Sequence, residues 1–456
     1  MQKSYPNEVP VATVFSMWWP LAASWLMMGT AVPMISAVLA RLAEPKISLA
    51  AFGGIVFPIS LIIEAPIIML LSASTALSKD WPSYQLIRRF MMGISFVLTF
   101  THFLLAFTPL YYTVVVGIMD PPAVIIEPAR IGLMIMLPWT WTVAYRRLNQ
   151  GVLIRNGRSK AISVGAIIRI SANASVLAIG WAIGTIPGIV VGASGLIAGV
   201  IADAVYTGVV VQPVLRNTLR PAALVSPVLT WPAFLNFYWP LALTSLLNLI
   251  VTPLGSATIS RMPDALNSLA VWPVLTGFLF MWRSIGFAYS EVVVANLDEP
   301  GSFFALRRFT LYLMAFAVLG LTFVAVTPVS DFWFVTVSGL GAELATLASV
   351  GLWVTLLWPV ISILRNTFQA VLVSGRKTRA VTEAVVIFFL LSGVLLVLST
   401  NLNGRLPGLF VALIVFQIGY GSQALWMWLR SRTYLKAVKA RDIVLREQFV
   451  QEVANV

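Results

Sequence analysis

Long apolar runs recur along the whole of this 456-residue chain, and they constrain its fold more than any other feature. A helix needs about 20 apolar residues to cross the ~30 Å hydrocarbon core of a bilayer. Twelve runs reach about that length, with approximate limits 11–40, 47–73, 90–118, 130–153, 161–185, 187–213, 232–259, 267–294, 309–333, 344–373, 380–400 and 406–430. The pattern predicts an all-α integral membrane protein with twelve transmembrane helices. The first run is too long for the apolar segment of a signal peptide, so we expect it to be retained.

Composition excludes several classes of function. Hydrophobic residues make up 59% of the chain and charged residues only 10%, which is too apolar for a soluble protein. The absence of cysteine excludes thiol chemistry, and a single histidine, His102, excludes a multi-histidine metal centre. Acidic residues are scattered singly, and no phosphate-binding Gly-Lys loop is present. We therefore expect no enzyme activity, no metal and no cofactor.

The distribution of positive charge predicts the topology. With a cytoplasmic N-terminus, 23 of the 30 Lys and Arg residues fall on the cytoplasmic side and only five on the other. That count includes Arg146 and Arg365 on the cytoplasmic side. Such asymmetry follows the positive-inside rule and predicts that both termini are cytoplasmic, in a cell (inner) membrane. It also accounts for the net charge of +13 without a nucleic-acid partner.

Two halves of the chain repeat each other at an offset of about 220 in the numbering. The segment WWPLA at 18–22 corresponds to YWPLA at 238–242, and the region of Arg146 corresponds to that of Arg365. Six spans per half is an even number, so the pattern predicts parallel repeats related by an axis along the membrane normal. The predicted organisation is two six-helix lobes, at 1–215 and 232–430. A cytoplasmic linker at 216–231 joins them, and a basic amphipathic cytoplasmic tail follows at 431–456.

These features resemble the multidrug/oligosaccharidyl-lipid/polysaccharide (MOP) exporter superfamily, which includes MATE extruders. The 6+6 duplication carries the resemblance, together with a polar, basic turn in each half, at 150–160 and 369–379. Within that superfamily the chain looks closest to the progressive ankylosis (ANK) family. The segment FYWPLAL at 237–243 and the stretch 268–310 are similar to that family.

The resemblance implies two lobes around a central cavity with alternating access. ANK-type proteins are associated with export of pyrophosphate, nucleotide phosphate or citrate, whereas MATE relatives couple cation export to Na⁺ or H⁺ through membrane carboxylates. We therefore expect a monomeric secondary exporter of a small polyvalent anion, with the lipid bilayer and a coupling H⁺ or Na⁺ as further partners. The alternatives are a MATE-type cation or drug antiporter and a lipid-linked substrate flippase.

Charged residues inside spans are costly, so they indicate a site or an internal pair. Arg283 is the predicted anion-binding residue, and Arg169 is a second candidate because the arginine fork suits phosphate and carboxylate. Asn173 lies one turn from Arg169, and Ser284 is adjacent to Arg283. At the offset of 220, Ser284 is the counterpart of Glu64. The alternatives are a static salt bridge between the lobes and an Arg169 that extends to the cytoplasmic interface.

Four residues are predicted to couple or gate transport. Glu64 and Asp203 lie within spans, and either carboxylate is able to titrate or to bind Na⁺. Asp203 has the alternative of an ion pair with Arg169. Glu291, near a span end, is a candidate gate or a solvated side chain. His102 is a candidate proton relay or a hydrogen-bonded structural group.

Overall fold

The computed structural model describes residues 9–375, 377–400 and 406–454, and this part of the chain is helical without a strand. Ten helices are long and apolar enough to cross a membrane, and two bent pairs raise the number to twelve. Each of the twelve predicted spans overlaps one of these elements. The predicted all-α class and the number of spans are therefore confirmed.

The twelve elements are labelled α1 to α12 in chain order. Those of the first half are α1 Val11–Leu39, α2 Pro45–Leu77, α3 Trp81–Phe107, the bent pair α4 Ala123–Ile135 and Trp139–Arg155, α5 Lys160–Ile183 and α6 Gly188–Leu219. Those of the second half are α7 Trp231–Ser260, α8 Ala265–Asn296, α9 Ser302–Val326, the bent pair α10 Ala342–Val354 and Trp358–Ser374, α11 Thr378–Ser399 and α12 Gly408–Ala454.

The third and ninth helices start and end earlier than predicted. The expected spans 90–118 and 309–333 run past Thr108 and Thr327, where the structure breaks the chain. Both threonines have extended backbones and precede a proline, and proline disfavours helical geometry in the residue before it. Each break is followed by a short helical segment, which continues the apolar run and explains the misplaced limits.

The predicted amphipathic tail continues the last membrane helix as far as Ala454. Helix α12 runs without a break for 47 residues, about 70 Å at 1.5 Å per residue, which is more than twice the hydrocarbon thickness. Its extension binds the loop between α8 and α9. Arg441 donates hydrogen bonds to the carbonyl groups of Leu297, Asp298 and Glu299, and Asp442 accepts one of 2.8 Å from the backbone N–H of Phe303. A positive charge is favoured at the C-terminal end of α8, and a negative charge is favoured at the N-terminal end of α9.

One additional residue in α2 changes the register of the repeat. Helix α2 has 33 residues and α8 has 32. A π-helical turn at Ala51–Val56 occurs in α2, whereas α8 is regular throughout, and a π-turn accommodates one residue more than an α-turn. The helix starts, at positions 45 and 265, keep the offset of 220, whereas the helix ends, at positions 77 and 296, have an offset of 219. Beyond the π-turn, the offset that relates α2 to α8 is therefore 219.

Reciprocal contacts between the halves support this register. The indole nitrogen of Trp18 donates a hydrogen bond of 3.1 Å to the carbonyl oxygen of Ile285. Its counterpart at the offset of 220, Tyr238, donates from its hydroxyl group to the carbonyl oxygen of Pro66. Pro66 is the counterpart of Ile285 at the local offset of 219. Thus α1 packs on α8 in the same way as α7 packs on α2, and this exchange relates the two halves by a pseudo-twofold axis.

A second reciprocal pair closes the end of the bundle opposite the described start of α1. Arg41, after α1, donates to the carbonyl oxygen of Thr336, and Arg261, after α7, donates to that of Ile118. Arg41 and Arg261 are equivalent at the offset of 220, and each reaches into the other half. We call these two contacts the arginine latch.

Helices α2 and α8 approach each other closely at Gly53 and Pro273. A Cβ atom on Gly53 would lie far inside van der Waals contact with Cγ of Pro273. Glycine is therefore the residue that permits this approach. The contact fixes the two helices that carry Glu64 and Arg283 against each other.

Candidate functional site

Glu64 lies inside the first half and contacts a tryptophan of α4. Its carboxylate is buried, with 4% of the residue exposed, and it accepts a hydrogen bond of 2.5 Å from the indole nitrogen of Trp139. Trp139 is the first residue after the bend in α4. The bend thus supplies a donor to a carboxylate that would otherwise be costly to bury.

Asp203 forms an ion pair with Arg146, across α6 and α4. The two side chains are 1% and 8% exposed, and the guanidinium nitrogen lies 3.0 Å from the carboxylate oxygen. The alternative prediction that Asp203 pairs with Arg169 is therefore wrong. Arg146 is buried within the bundle, because the turn of α4 that carries it faces α6.

Two further arginines surround this pair. The charges of Arg147 and Arg169 both act on Glu64, together with that of Arg146. In each of Arg147 and Arg169 the Nε atom is buried without a hydrogen-bond partner in the described structure. The interior of the first half therefore holds three arginines against two carboxylates.

Arg283 lies inside the second half, over two aromatic rings. Its guanidinium carbon is 5.1 Å from the ring centroid of Trp358 in α10 and 4.8 Å from that of Tyr420 in α12. Aromatic faces attract a cation at these distances. The side chain keeps part of its surface accessible although it lies mid-helix.

Arg365 joins Arg283 on the same tyrosine. Its guanidinium carbon is 5.3 Å from the centroid of Tyr420, and its nitrogens lie 3.1 Å from Oδ1 of Asn366 and 3.4 Å from Oε1 of Gln423. The two arginines repel each other electrostatically. We call Arg283, Arg365 and Tyr420 the arginine pair site.

The arginine pair site has no carboxylate. Neither Arg283 nor Arg365 belongs to any of the ion pairs within 4.0 Å in the described part of the chain. Neutral amide oxygens and aromatic faces are their only close partners there. The cluster thus carries two positive charges that the described residues leave unbalanced.

The counterpart of Glu64 is Arg283, not Ser284 as the uniform offset of 220 predicts. Glu64 follows the π-turn of α2, so the local offset is 219. The same offset relates Trp139 to Trp358, which contact Glu64 and Arg283 respectively. Equivalent positions facing equivalent tryptophans therefore hold an acid in one half and a base in the other.

Three further residues predicted for the site, Ser284, His102 and Glu291, make hydrogen bonds of their own. The Ser284 hydroxyl donates to the carbonyl oxygen of Met281 in its own helix, at 2.6 Å. His102 is buried, with Nε2 3.0 Å from the carbonyl oxygen of Leu133. Glu291 is exposed and accepts a hydrogen bond of 3.0 Å from Trp25. His102 thus makes the kind of hydrogen bond that its structural alternative predicts, whereas Glu291 contacts a tryptophan of the other half.

Asn173 lies between α5 and α6 in the first half, one turn from Arg169. It is buried, and its Oδ1 atom has no hydrogen-bond partner in the described structure. Glycines of α6 make room for it, because a Cβ on Gly195 would lie 3.1 Å from that oxygen. Asn173 and Arg169 therefore face α6 together, as the one-turn spacing predicts.

Sequence reasoning missed Arg365, Gln423, Trp358 and Tyr420. The positive-inside pattern counts Arg365 among the cytoplasmic cations, although it lies within the span predicted at 344–373. A signal was present, since Arg365 is the repeat partner of Arg146. No signal in the sequence joins α12 to this site, because that contact depends on how the helices pack. Within the described residues, no group of three His, Asp or Glu side chains is placed to hold a metal ion.

No protein-family model matches the chain, and no curated protein matches it by sequence. Solved structures match it closely in fold. An inward-facing multidrug resistance MATE family transporter of the MOP superfamily has a TM-score of 0.65 at 15% identity, covering 92% of this chain and 99% of that one. The lipid II flippase MurJ, in an inward closed conformation, has a TM-score of 0.66 at 16% identity, covering 96% of this chain and 93% of that one.

A third similar structure is a MOP superfamily transporter from Pyrococcus furiosus, described as having a binding pocket of reverse polarity. Its TM-score is 0.60 at 15% identity, covering 95% of this chain and 98% of that one. Identities this low carry the fold and not the substrate. The chain has the twelve-helix fold of MOP superfamily transporters.

Proposed function

We propose that this chain is a secondary active membrane transporter that carries a small polyvalent anion by alternating access. The similar structures are a multidrug transporter, a lipid flippase and a further transporter, all built on this fold. We also propose the organisation that the repeat predicts. It comprises lobes at 1–215 and 232–430 joined by a linker, with both termini cytoplasmic in a cell membrane and the monomer as the working unit.

The arginine pair site is the main reason to propose an anionic substrate. Two guanidinium groups inside a helical bundle, with no carboxylate beside them, are costly unless an anion completes them. The alternative is a static structural cluster, in which Tyr420 and Trp358 stabilise the two cations. Part of each guanidinium side chain remains accessible, which favours a binding role. The resemblance of residues 237–243 to the ANK family also supports an anionic substrate.

The test is a flux assay in proteoliposomes. Wild-type protein and the Arg283→Gln variant are compared for movement of citrate, pyrophosphate, a nucleotide and a cationic dye, with and without imposed H⁺ and Na⁺ gradients. We expect the wild type to move at least one polyvalent anion. We expect Arg283→Gln to fold and to bind that anion about 10- to 150-fold more weakly, since one charge-assisted contact of ~1.5–3 kcal/mol is lost.

A cation antiporter of the MATE type is the second candidate, supported by Glu64 and Asp203. Buried carboxylates in membrane helices are the groups that bind Na⁺ or H⁺. In this chain, however, Arg146 already neutralises Asp203. Transport of the dye alone, or an Arg283→Gln variant that moves anions normally, would favour this candidate.

A lipid-linked substrate flippase is the third candidate, supported by the similarity to MurJ. The phosphate groups of a lipid-linked sugar would use the same two arginines as a free polyvalent anion. The two functions differ in whether the anion crosses without a lipid. Movement of a lipid-linked diphosphate in the absence of any flux of free anions would select the flippase.

A further inference from the structure

We infer that the second half binds a ligand with two oxyanion groups, in the two places where the first half holds its own carboxylates. This inference rests on the proposed anion transport and names where the anion sits. Its chemical class is a diphosphate or a di- or tricarboxylate. The internal repeat supplies the argument, because it shows the same framework with and without built-in acids.

The first of the two places is beside Arg365. In the first half, Arg146 pairs with Asp203 at 3.0 Å. The starts of α6 and α12, at positions 188 and 408, keep the offset of 220, so the counterpart of Asp203 is Gln423. Gln423 offers Arg365 only a neutral amide oxygen, at 3.4 Å. The second half has therefore kept the guanidinium group and replaced its counter-ion by a neutral residue.

The second place is beside Trp358. In the first half, the indole N–H of Trp139 is satisfied by the carboxylate of Glu64. The counterpart, Trp358, is 3% exposed, and its indole nitrogen is buried without a partner in the described structure. Arg283 occupies the position of the acid and stacks on the ring instead. An oxyanion here would accept from the indole and face the guanidinium group.

The two places are close enough for one small molecule. The guanidinium carbons of Arg283 and Arg365 lie 4.8 and 5.3 Å from the same Tyr420 centroid, so they are at most about 10 Å apart. Buried donors without acceptors are destabilising, and charged ones more so. A ligand with two acidic groups would remove both penalties, whereas a single carboxylate would remove one.

The test is binding to full-length protein in nanodiscs, measured by calorimetry. The ligands are pyrophosphate and citrate as free bis-oxyanions, acetate as a mono-oxyanion, and farnesyl diphosphate as a lipid-linked diphosphate. Acetate tests whether two anionic groups are needed, and farnesyl diphosphate tests whether an attached lipid chain changes the binding. The variants are Gln423→Glu, which rebuilds the ion pair of the first half, and Trp358→Phe, which removes the indole N–H and keeps a smaller aromatic ring at the position beside Arg283.

Two controls isolate the position and the charge. Gln423→Met removes the amide without adding an acid. Gln417→Glu adds an acid on the same helix, where the amide contacts the carbonyl oxygen of Val354 and not an arginine. Melting temperatures report folding for every variant. A Gln423→Glu protein should fold, because the first half already contains this pairing.

We expect wild-type protein to bind a bis-oxyanion, free or lipid-linked, more tightly than acetate. Gln423→Glu should weaken that binding at least tenfold, with its melting temperature unchanged or raised, whereas Gln417→Glu should leave it unchanged and Gln423→Met should have a smaller effect. Trp358→Phe should weaken it about 10- to 150-fold, the loss of one hydrogen bond of ~1.5–3 kcal/mol to a charged group, and reduce the preference over acetate.

Two results would overturn the inference in different ways. If the wild type binds and moves polyvalent anions but Gln423→Glu does so equally well, the location is wrong and the proposed transport stands. If the wild type binds none of the anions, the proposed function itself is wrong, and this inference goes with it. Equal losses in Gln423→Glu and Gln417→Glu would also count against the location.

Discussion

Glu64 and Arg283 occupy equivalent positions in the two halves of this protein, and they carry opposite charges. Each faces the equivalent tryptophan of the following bent element, Trp139 or Trp358. The acid accepts from the indole nitrogen, whereas the base stacks on the indole ring. The same framework thus holds one environment in which arginines lie beside carboxylates and one that is purely basic.

The Glu64→Gln variant should separate coupling from anion binding. A glutamine still accepts the hydrogen bond from Trp139 but cannot exchange a proton or hold Na⁺. We expect the H⁺ or Na⁺ dependence of anion flux to be lost, with anion affinity changed much less than in Arg283→Gln. Flux measured against pH and Na⁺ gradients checks this. An unchanged gradient dependence would remove Glu64 from the coupling mechanism.

Breaking the Asp203–Arg146 pair should be strongly destabilising. Asp203→Asn leaves Arg146 buried without a counter-ion, at a cost of about 3–5 kcal/mol. Replacing both residues, by Asp203→Leu with Arg146→Met, removes both charges and should recover most of that loss. Unfolding in SDS for Asp203→Leu, Arg146→Met and the double variant measures the coupling. Additive losses would show that the two side chains do not act as a pair.

The arginine latch should hold one end of the bundle closed. The Arg41→Ala and Arg261→Ala double variant removes both reciprocal contacts, each contributing about 1 kcal/mol or a fivefold change in the equilibrium. Because the chain has no cysteine, spin labels are introduced without a background. We expect a longer label separation between Val124 and Thr346 in the double variant than in the latched protein.

The single latch variants provide the matched comparison. Because the two contacts are related by the pseudo-twofold axis, Arg41→Ala and Arg261→Ala should have similar effects. The double variant should exceed either one. Identical distance distributions in all four proteins would mean that other contacts, such as Lys46 with Glu343 at 2.5 Å, determine closure.

The extension of α12 should stabilise the start of α9. Asp442 accepts from the backbone N–H of Phe303 in the manner of a capping residue, although it belongs to another helix. Asp442→Ala should cost about 0.5–2 kcal/mol and increase hydrogen exchange over the first turn of α9. Lys439→Ala, three residues earlier on the same extension, is the control. Equal exchange in the two variants would contradict the capping role.

Acid should destabilise the protein partly through Asp80, which precedes α3. Burial acts to raise the pKa of this carboxyl group, but hydrogen bonds from Ser83 and from the backbone N–H of Val225 outweigh it and lower the pKa below its ordinary value of 3.8. Its contribution to stability is present above that ordinary value and is lost as the pH falls through the folded-state pKa. Asp80→Asn should flatten the melting temperature between about pH 5 and pH 3.

The sequence by itself determined the class of the fold and the number of its spans. Apolar runs longer than a bilayer is thick leave no alternative to membrane helices, because an unpaired backbone group in hydrocarbon is too costly. The repeat at the offset of 220 predicted the duplication, and Arg283 and Glu64 were found because any charge within such a run is conspicuous. These signals are local, and each is visible within one span.

Only the tertiary structure decided which side chains meet. Arg365 lies beside Arg283 and contacts Gln423 because α8, α10 and α12 pack together, although the three helices are well separated in sequence. The one-residue change of register in α2 is likewise invisible in an apolar stretch, where a slip alters no pattern. It depends on a π-turn formed against α8, and it makes Arg283 the counterpart of Glu64.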